Sequence, residues 1–201
     1  MIKKTRKSLV ILLHEIYGIN DHINMYRSLM VEAGFDVISP NLLQRDSFAY
    51  DQEDIAYQFF MNEVGFNKSI QIVNQIINEN RNQYNKIYII GFSIGATIAW
   101  CCSEFKVDGI IGYYGSRIRN SIGIEPKCLT LLFFPINEKS FDVIELERQL
   151  KPKEKLKFAI IQADHGFMNP FNKCFNIKEY QECLDLSMNF LSGIEEDTGI
   201  R

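Results

Sequence analysis

Lys86-Ile87-Tyr88-Ile89-Ile90-Gly91-Phe92-Ser93-Ile94-Gly95-Ala96-Thr97-Ile98-Ala99-Trp100-Cys101 is the stretch that decides the fold. Its first half is apolar without alternation, the pattern of a strand buried on both faces, and the part after Gly95 reads as helix. Between them lies G-x-S-x-G. The glycines are needed because the chain reverses sharply there, and a side chain at either position would collide with the turn while the serine is held up in a strained conformation. Ser93 also stands at a helix N-terminus, where free N–H groups and the helix dipole favour negative charge developing during acyl transfer. Three fixed positions at about 7% usage each give roughly 0.07 chance matches in a chain this long. With the flanking strand and helix in place, Ser93 is a candidate nucleophile.

Working outward, similar apolar runs recur at Leu9 to Leu13, Phe35 to Ser39, Gly109 to Tyr114, Leu129 to Phe134 and Leu156 to Ile161. Helical patterns lie between them. Phe66, Ile70, Val73 and Ile77 form one apolar stripe, and Asp21 to Ala33 is a helix ended by Gly34. Ile94 to Phe105, Asp142 to Leu150 and Ile177 to Leu191 supply three more. Strand and helix alternating along the chain predict an α/β fold, a three-layer sandwich with a mostly parallel sheet of about six strands. No repeat or linker divides it, so residues 1–201 are expected to form one domain, with little room for a large cap insertion. The loops Asn41 to Gln52 and Phe167 to Asn176 follow strand C-termini, the end at which such sheets gather ligands.

Twenty-two Lys and Arg against 25 Asp and Glu give a net charge of -3, too little basic field to draw the chain to nucleic acid or anionic lipid. The lysines at 3, 4 and 7 with Arg6, and the run Lys151 to Lys157, read as solvated faces. No stretch is apolar enough to span a bilayer, and the start lacks a cleavage site after its short apolar run. Five cysteines, an odd number with Cys101 and Cys102 adjacent, suggest reduced thiols in a cytoplasm rather than a disulfide framework or zinc site.

A serine needs a base, and the chain has three histidines. His165, in Gln162-Ala163-Asp164-His165-Gly166-Phe167, follows the last strand, where the α/β-hydrolase order of serine, acid, histidine places the base. His14 comes too early in that order and is expected to shape the pocket. His22, at a helix start, is expected to be solvated.

The segments Leu13-His14-Glu15-Ile16-Tyr17-Gly18, Ala33-Gly34-Phe35-Asp36-Val37-Ile38-Ser39-Pro40, the serine turn, Gly112-Tyr113-Tyr114-Gly115 and Ala163-Asp164-His165-Gly166-Phe167 together resemble the dienelactone hydrolase family, a branch of the α/β-hydrolase fold. The resemblance implies an oxyanion hole made by the backbone N–H groups of Ile16 and Ile94. It also implies that Glu15 lies near the nucleophile and influences its resting state, the other reading being an ion pair that supports the loop.

Three departures bear on chemistry. The best-known members carry a cysteine nucleophile where this chain has Ser93, which favours ordinary ester chemistry. The family's acid follows its strand in a Gly-x-x-Asp pattern, yet here Pro135-Ile136-Asn137-Glu138-Lys139-Ser140-Phe141-Asp142-Val143 puts Ser140 in the aspartate's place. Asp142, two residues on, is the expected acid if the loop rearranges, with Glu138 as the fallback; Asp142 equally suits the first turn of a helix. Thirdly, no basic residue matches a carboxylate clamp, although Arg45, Arg117 and Arg119 fall near pocket loops.

The expectation is a serine hydrolase of small esters, lactones or thioesters, a monomer or small homo-oligomer needing no metal or organic cofactor. The rivals are a catalytically weakened hydrolase-fold protein that binds a small molecule or partner, and a peptidase or acyltransferase on the same fold.

Overall fold

A computed structural model describes residues 7–196. The lysines at 3 and 4 and Arg6 lie outside the described residues. The chain runs β1 (Leu9–Leu13), α1 (Asp21–Glu32), β2 (Asp36–Ile38), α2 (Glu53–Phe59), α3 (Gly65–Asn80), β3 (Ile87–Phe92), α4 (Ile94–Cys101), β4 (Gly109–Tyr113), β5 (Leu129–Pro135), α5 (Val143–Leu150), β6 (Leu156–Ile161) and α6 (Ile177–Glu196). The six strands make one sheet in the order β2-β1-β3-β4-β5-β6, every neighbouring pair parallel.

Alternation of side chains along each strand explains why the runs read as continuously apolar. On one face, Leu9, Ile11, Leu13, Ile87 and Ile89 pack with α3 and α4. On the other, Val10, Leu12, Tyr88, Ile90 and Phe92 meet α1 and α6. Trp100, Leu132 and Phe134 join α5 in a third cluster. Leu12 is fully buried, so truncation to Ala should cost about 2–5 kcal/mol.

One polar chain crosses the second interface. Tyr26 of α1 donates to Tyr113 of β4 at 3.0 Å, Tyr113 donates to Ser187 of α6 at 2.6 Å, and Ser187 donates to the Cys183 carbonyl at 2.7 Å. Each hydroxyl finds an acceptor, which makes burying them tolerable.

Between β2 and α3, the expected loop Asn41 to Gln52 is followed by helical segments that the apolar pattern does not predict. Residues 50–52 form a single tight turn, α2 follows, and a π-turn at Phe60–Val64 leads through Gly65, at φ +71°, into α3. Lys153, read as solvated, is instead buried along its stem with Nζ paired to Glu125 at 2.6 Å. Among the described residues, no helix is long and apolar enough to cross a membrane.

Candidate active site

The turn between β3 and α4 is built by exclusion. A Cβ on Gly91 would lie 2.3 Å from the Gly95 carbonyl carbon, and one on Gly95 would lie 2.5 Å from the Leu13 carbonyl oxygen at the end of β1. Main chain therefore touches main chain at both positions. Ser93 pays for this with φ 54° and ψ -112°, a conformation L-residues rarely adopt. Its N–H donates to the Tyr113 carbonyl at 2.9 Å, which fixes the turn to β4.

His165 comes from the loop after β6, and its Nε2 stands 3.1 Å from Ser93 Oγ. Tyr114 backs the ring, with centroids 4.8 Å apart. On the far side of the ring, Nδ1 is 2.7 Å from Glu138 Oε2. The His165 side chain is 37% exposed but that of Glu138 only 6%, so the carboxylate is screened from water and the ring is open to the cavity. Burial alone would raise the Glu138 pKa; the hydrogen bond and charge of His165, with the Ser140 bonds, outweigh it and hold the carboxyl below the usual range.

The structure puts the fallback Glu138, and not Asp142, beside the His165 ring. Asp142 is exposed and caps α5, its Oδ1 accepting from the N–H groups of Ile144 at 2.9 Å and Glu145 at 3.1 Å. Helix-capping geometry commits that carboxylate to the backbone. Glu138 faces His165 instead, because it stands nearer the end of β5 and its longer side chain reaches across. Ser140, in the aspartate's expected place, serves this glutamate: its Oγ donates to Glu138 Oε1 at 2.9 Å and its N–H at 3.3 Å.

Ile16 and Ile94 both border the cavity above Ser93. Ile94 is the first residue of α4, so its N–H has no acceptor within the helix. Glu15 is buried and held from three sides. Tyr114 donates to its Oε1 at 3.0 Å, Asn169 donates to Oε2 at 2.9 Å, and His22 Nδ1 lies 3.4 Å from Oε2. Burial would raise its pKa, but His22, the Tyr114 hydroxyl and the charge of His165 hold it below the usual carboxylate range. Asn169 is tied in turn to Tyr50, which accepts from Asn20 at 3.0 Å.

Two histidine expectations change. His22 is fully buried rather than solvated, since it opens α1 on the face that packs against the sheet, where its ring meets Phe92 edge-on at 4.5 Å. His14 lies behind the cavity wall. Its Nδ1 is 2.6 Å from the Glu15 carbonyl and its Nε2 accepts from the Leu42 N–H at 3.0 Å. Burial drops its pKa to about 4, against the weaker pull of the Glu15 carbonyl and carboxylate.

The cavity at Ser93 holds about 410 Å³. Of the three arginines near pocket loops, Arg117 borders it and donates to the Tyr57 hydroxyl from α2. Arg45 stacks over Phe48 at 3.8 Å, and Arg119 is spent on the Ser116 carbonyl and the Phe141 ring. Tyr57 and Asn169 carried no sequence signal, and Ser140 carried only its position in the aspartate's place. Tyr114 did, in the run between Gly112 and Gly115. Among the described residues no group of His, Cys, Asp and Glu could hold a metal ion.

The family model for the dienelactone hydrolase family matches residues 2–192. This chain belongs to the dienelactone hydrolase family. An uncharacterised Bacillus subtilis protein, YczH, is 42% identical over 187 residues, 91% of this chain and 92% of that one. A Klebsiella pneumoniae structure provisionally assigned as a dienelactone hydrolase superposes with TM-score 0.79 at 16% identity, over 94% of this chain and 88% of its own. A dienelactone hydrolase-like promiscuous phosphotriesterase from metagenomic libraries gives 0.73 at 14%, over 96% and 88%. At such identities these neighbours share the α/β-hydrolase fold with this dienelactone hydrolase family member, whose six-stranded core carries no large cap.

Proposed function

We propose that the protein is a serine hydrolase of small esters, lactones or thioesters that works through an acyl-enzyme on Ser93. The observation that carries this reading is the continuous contact from Ser93 Oγ through His165 to Glu138. An ionised carboxylate can only accept, so the His165 proton sits on Nδ1 and the Nε2 lone pair faces the serine hydroxyl. That is the tautomer a general base requires.

As Oγ attacks the substrate carbonyl carbon, its proton passes to Nε2 and the carbonyl electrons move onto oxygen. The N–H groups of Ile16 and Ile94 receive that oxyanion, each worth about 3–4 kcal/mol in a comparable hydrolase. Glu138 stabilises the doubly protonated ring meanwhile. Collapse expels the alcohol, thiol or lactone oxygen, which takes the Nε2 proton. Water then repeats the attack on the acyl carbonyl, giving its proton to Nε2, and Ser93 leaves as the hydroxyl with that proton restored.

A cavity of about 410 Å³ lies near the lower end for small-ligand sites, which supports a small substrate. The rival of a weakened, binding-only protein drew its motive from a missing acid, and Glu138 beside the ring removes that motive. The five cysteines, all free thiols, support a cytoplasmic enzyme.

Labelling with a fluorophosphonate, followed by peptide mapping, tests the nucleophile. Label on Ser93 that is lost in Ser93→Ala and His165→Ala, with turnover of short-chain esters, is expected. A folded protein that neither labels nor cleaves any ester or thioester sinks the reading, and cleavage of peptides alone would replace it with the peptidase.

A further inference from the structure

We propose that His14 is a positioning residue that aims the Ile16 N–H at the oxyanion; the inference rests on the Ser93 acyl-enzyme reading. The peptide unit joining Glu15 and Ile16 carries that N–H. In a trans peptide the C=O and N–H point in opposite directions, so whatever fixes the carbonyl also fixes the direction of the amide hydrogen. The Glu15 carbonyl accepts from two donors, His14 Nδ1 at 2.6 Å and the Gly18 N–H at 3.2 Å, and the imidazole is much the closer. Ile16 and Ser93 both line the cavity, so the proposal has the N–H side of that peptide turned toward it.

The imidazole is itself locked. A carbonyl oxygen can only accept, so Nδ1 carries the hydrogen, and Nε2 is the acceptor of the Leu42 N–H at 3.0 Å. Leu42 belongs to the loop after β2, which pairs with β1, so the ring bridges two loops leaving neighbouring strands. The two hydrogen bonds and the His22 contact at Glu15's carboxylate hold its side chain and do not act on its peptide group. Among the described residues, the His14 and Gly18 bonds are the ones that act on the peptide oxygen. His14 is fully buried, is not among the residues lining the cavity at Ser93 and takes no part in the proton relay, yet both its nitrogens are used.

Two variants separate aiming from mere support. In His14→Asn the amide nitrogen takes the place of Nδ1 and keeps the donor to Glu15, while the acceptor for Leu42 is lost. In His14→Gln the longer amide reaches Leu42 and abandons Glu15. Each loses one buried bond, so a structural role predicts similar effects on both. The aiming role predicts that Gln lowers kcat for a short-chain ester about 10- to 100-fold with KM little changed, because the oxyanion exists only in the transition state. Asn should keep kcat within about 3-fold. Equal kcat in the two folded variants overturns the proposal. In the wild type, nitrogen-resolved histidine NMR should place the His14 ring proton on Nδ1, and a proton on Nε2 overturns the proposal whatever the variants do. Ester turnover that survives Ser93→Ala would instead break the reading beneath it, so the two failures are distinguishable.

Discussion

The Oε2 of Glu138 lies 2.7 Å from the Nδ1 of His165. The bond fixes which nitrogen carries the proton, and loss of the equivalent orienting acid in a serine protease costs about 10⁴ in turnover. Glu138→Gln should therefore lower kcat by about 10³- to 10⁴-fold. Asp142→Ala should leave kcat within a few-fold and cost about 1 kcal/mol as a lost helix cap. Steady-state hydrolysis and urea unfolding check both. A large loss of turnover in Asp142→Ala with Glu138→Gln active would reverse the assignment.

Gly95 is the second test. A methyl group there would press to 2.5 Å from the Leu13 oxygen, whereas one at Gly123 meets nothing within 4 Å. Gly95→Ala should lose fluorophosphonate labelling by about 100-fold or fail to fold, since the elbow must shift by roughly an ångström. Gly123→Ala should label at the wild-type rate. Normal labelling of Gly95→Ala would show that the close approach to β1 does not set the geometry.

Glu15 makes a prediction about stability. Its carboxylate accepts from Tyr114 and Asn169 inside the protein, and Glu15→Ala strips both donors and the neighbouring His22 of their partner. Breaking buried charged contacts costs about 3–5 kcal/mol, or a melting temperature roughly 10 °C lower. Calorimetry reads this directly, and a shift under about 2 °C would mean that the network contributes little.

The pH dependence of stability follows from His14. In the unfolded chain it takes a proton as pH falls through 6.5, its ordinary value; in the folded protein it resists until about 4. Between these values the unfolded state binds more protons, so stability rises with pH across the window and is lost as pH falls. The full gap is worth roughly 3 kcal/mol. Urea midpoints of the wild type and His14→Asn, followed from neutral pH to about pH 4, should show a shallower decline in the variant. Parallel curves would remove His14 from the account.

Much of this was legible before any coordinates. Leu9 to Leu13 and Ile87 to Ile90 read as strands because both faces of a helix-covered sheet demand apolar side chains, and the serine turn is dictated by steric exclusion within a few residues. His165 followed from chain order. Which of Asp142 and the fallback Glu138 meets that ring did not follow, because a spacing pattern cannot tell whether a carboxylate turns toward a distant ring or back onto its own helix, and Asp142 does the latter. His22 was misread for a related reason: the start of a helix says nothing about which face is turned inward. The helix α2 and its π-turn left little trace because only Ala56 and Phe60 are buried there, too few for a periodic stripe. Tyr57 and Arg117 meet only because that segment folds over the cavity.

The approach of Gly95 to the end of β1 joins the two halves of the proposed oxyanion site backbone to backbone, with no side chain between them. The backbone geometry of the proposed reacting centre is thereby set apart from the side chains that complete the cavity wall. Codons for wall residues such as Tyr57, Arg117 or Lys139 can drift, or be randomised in a library, without disturbing the alignment of Ile16, Ser93 and Ile94. A small chain of this kind is a chassis for retargeting: selection for a new acyl or alcohol group can act on the walls while the reacting centre is inherited intact.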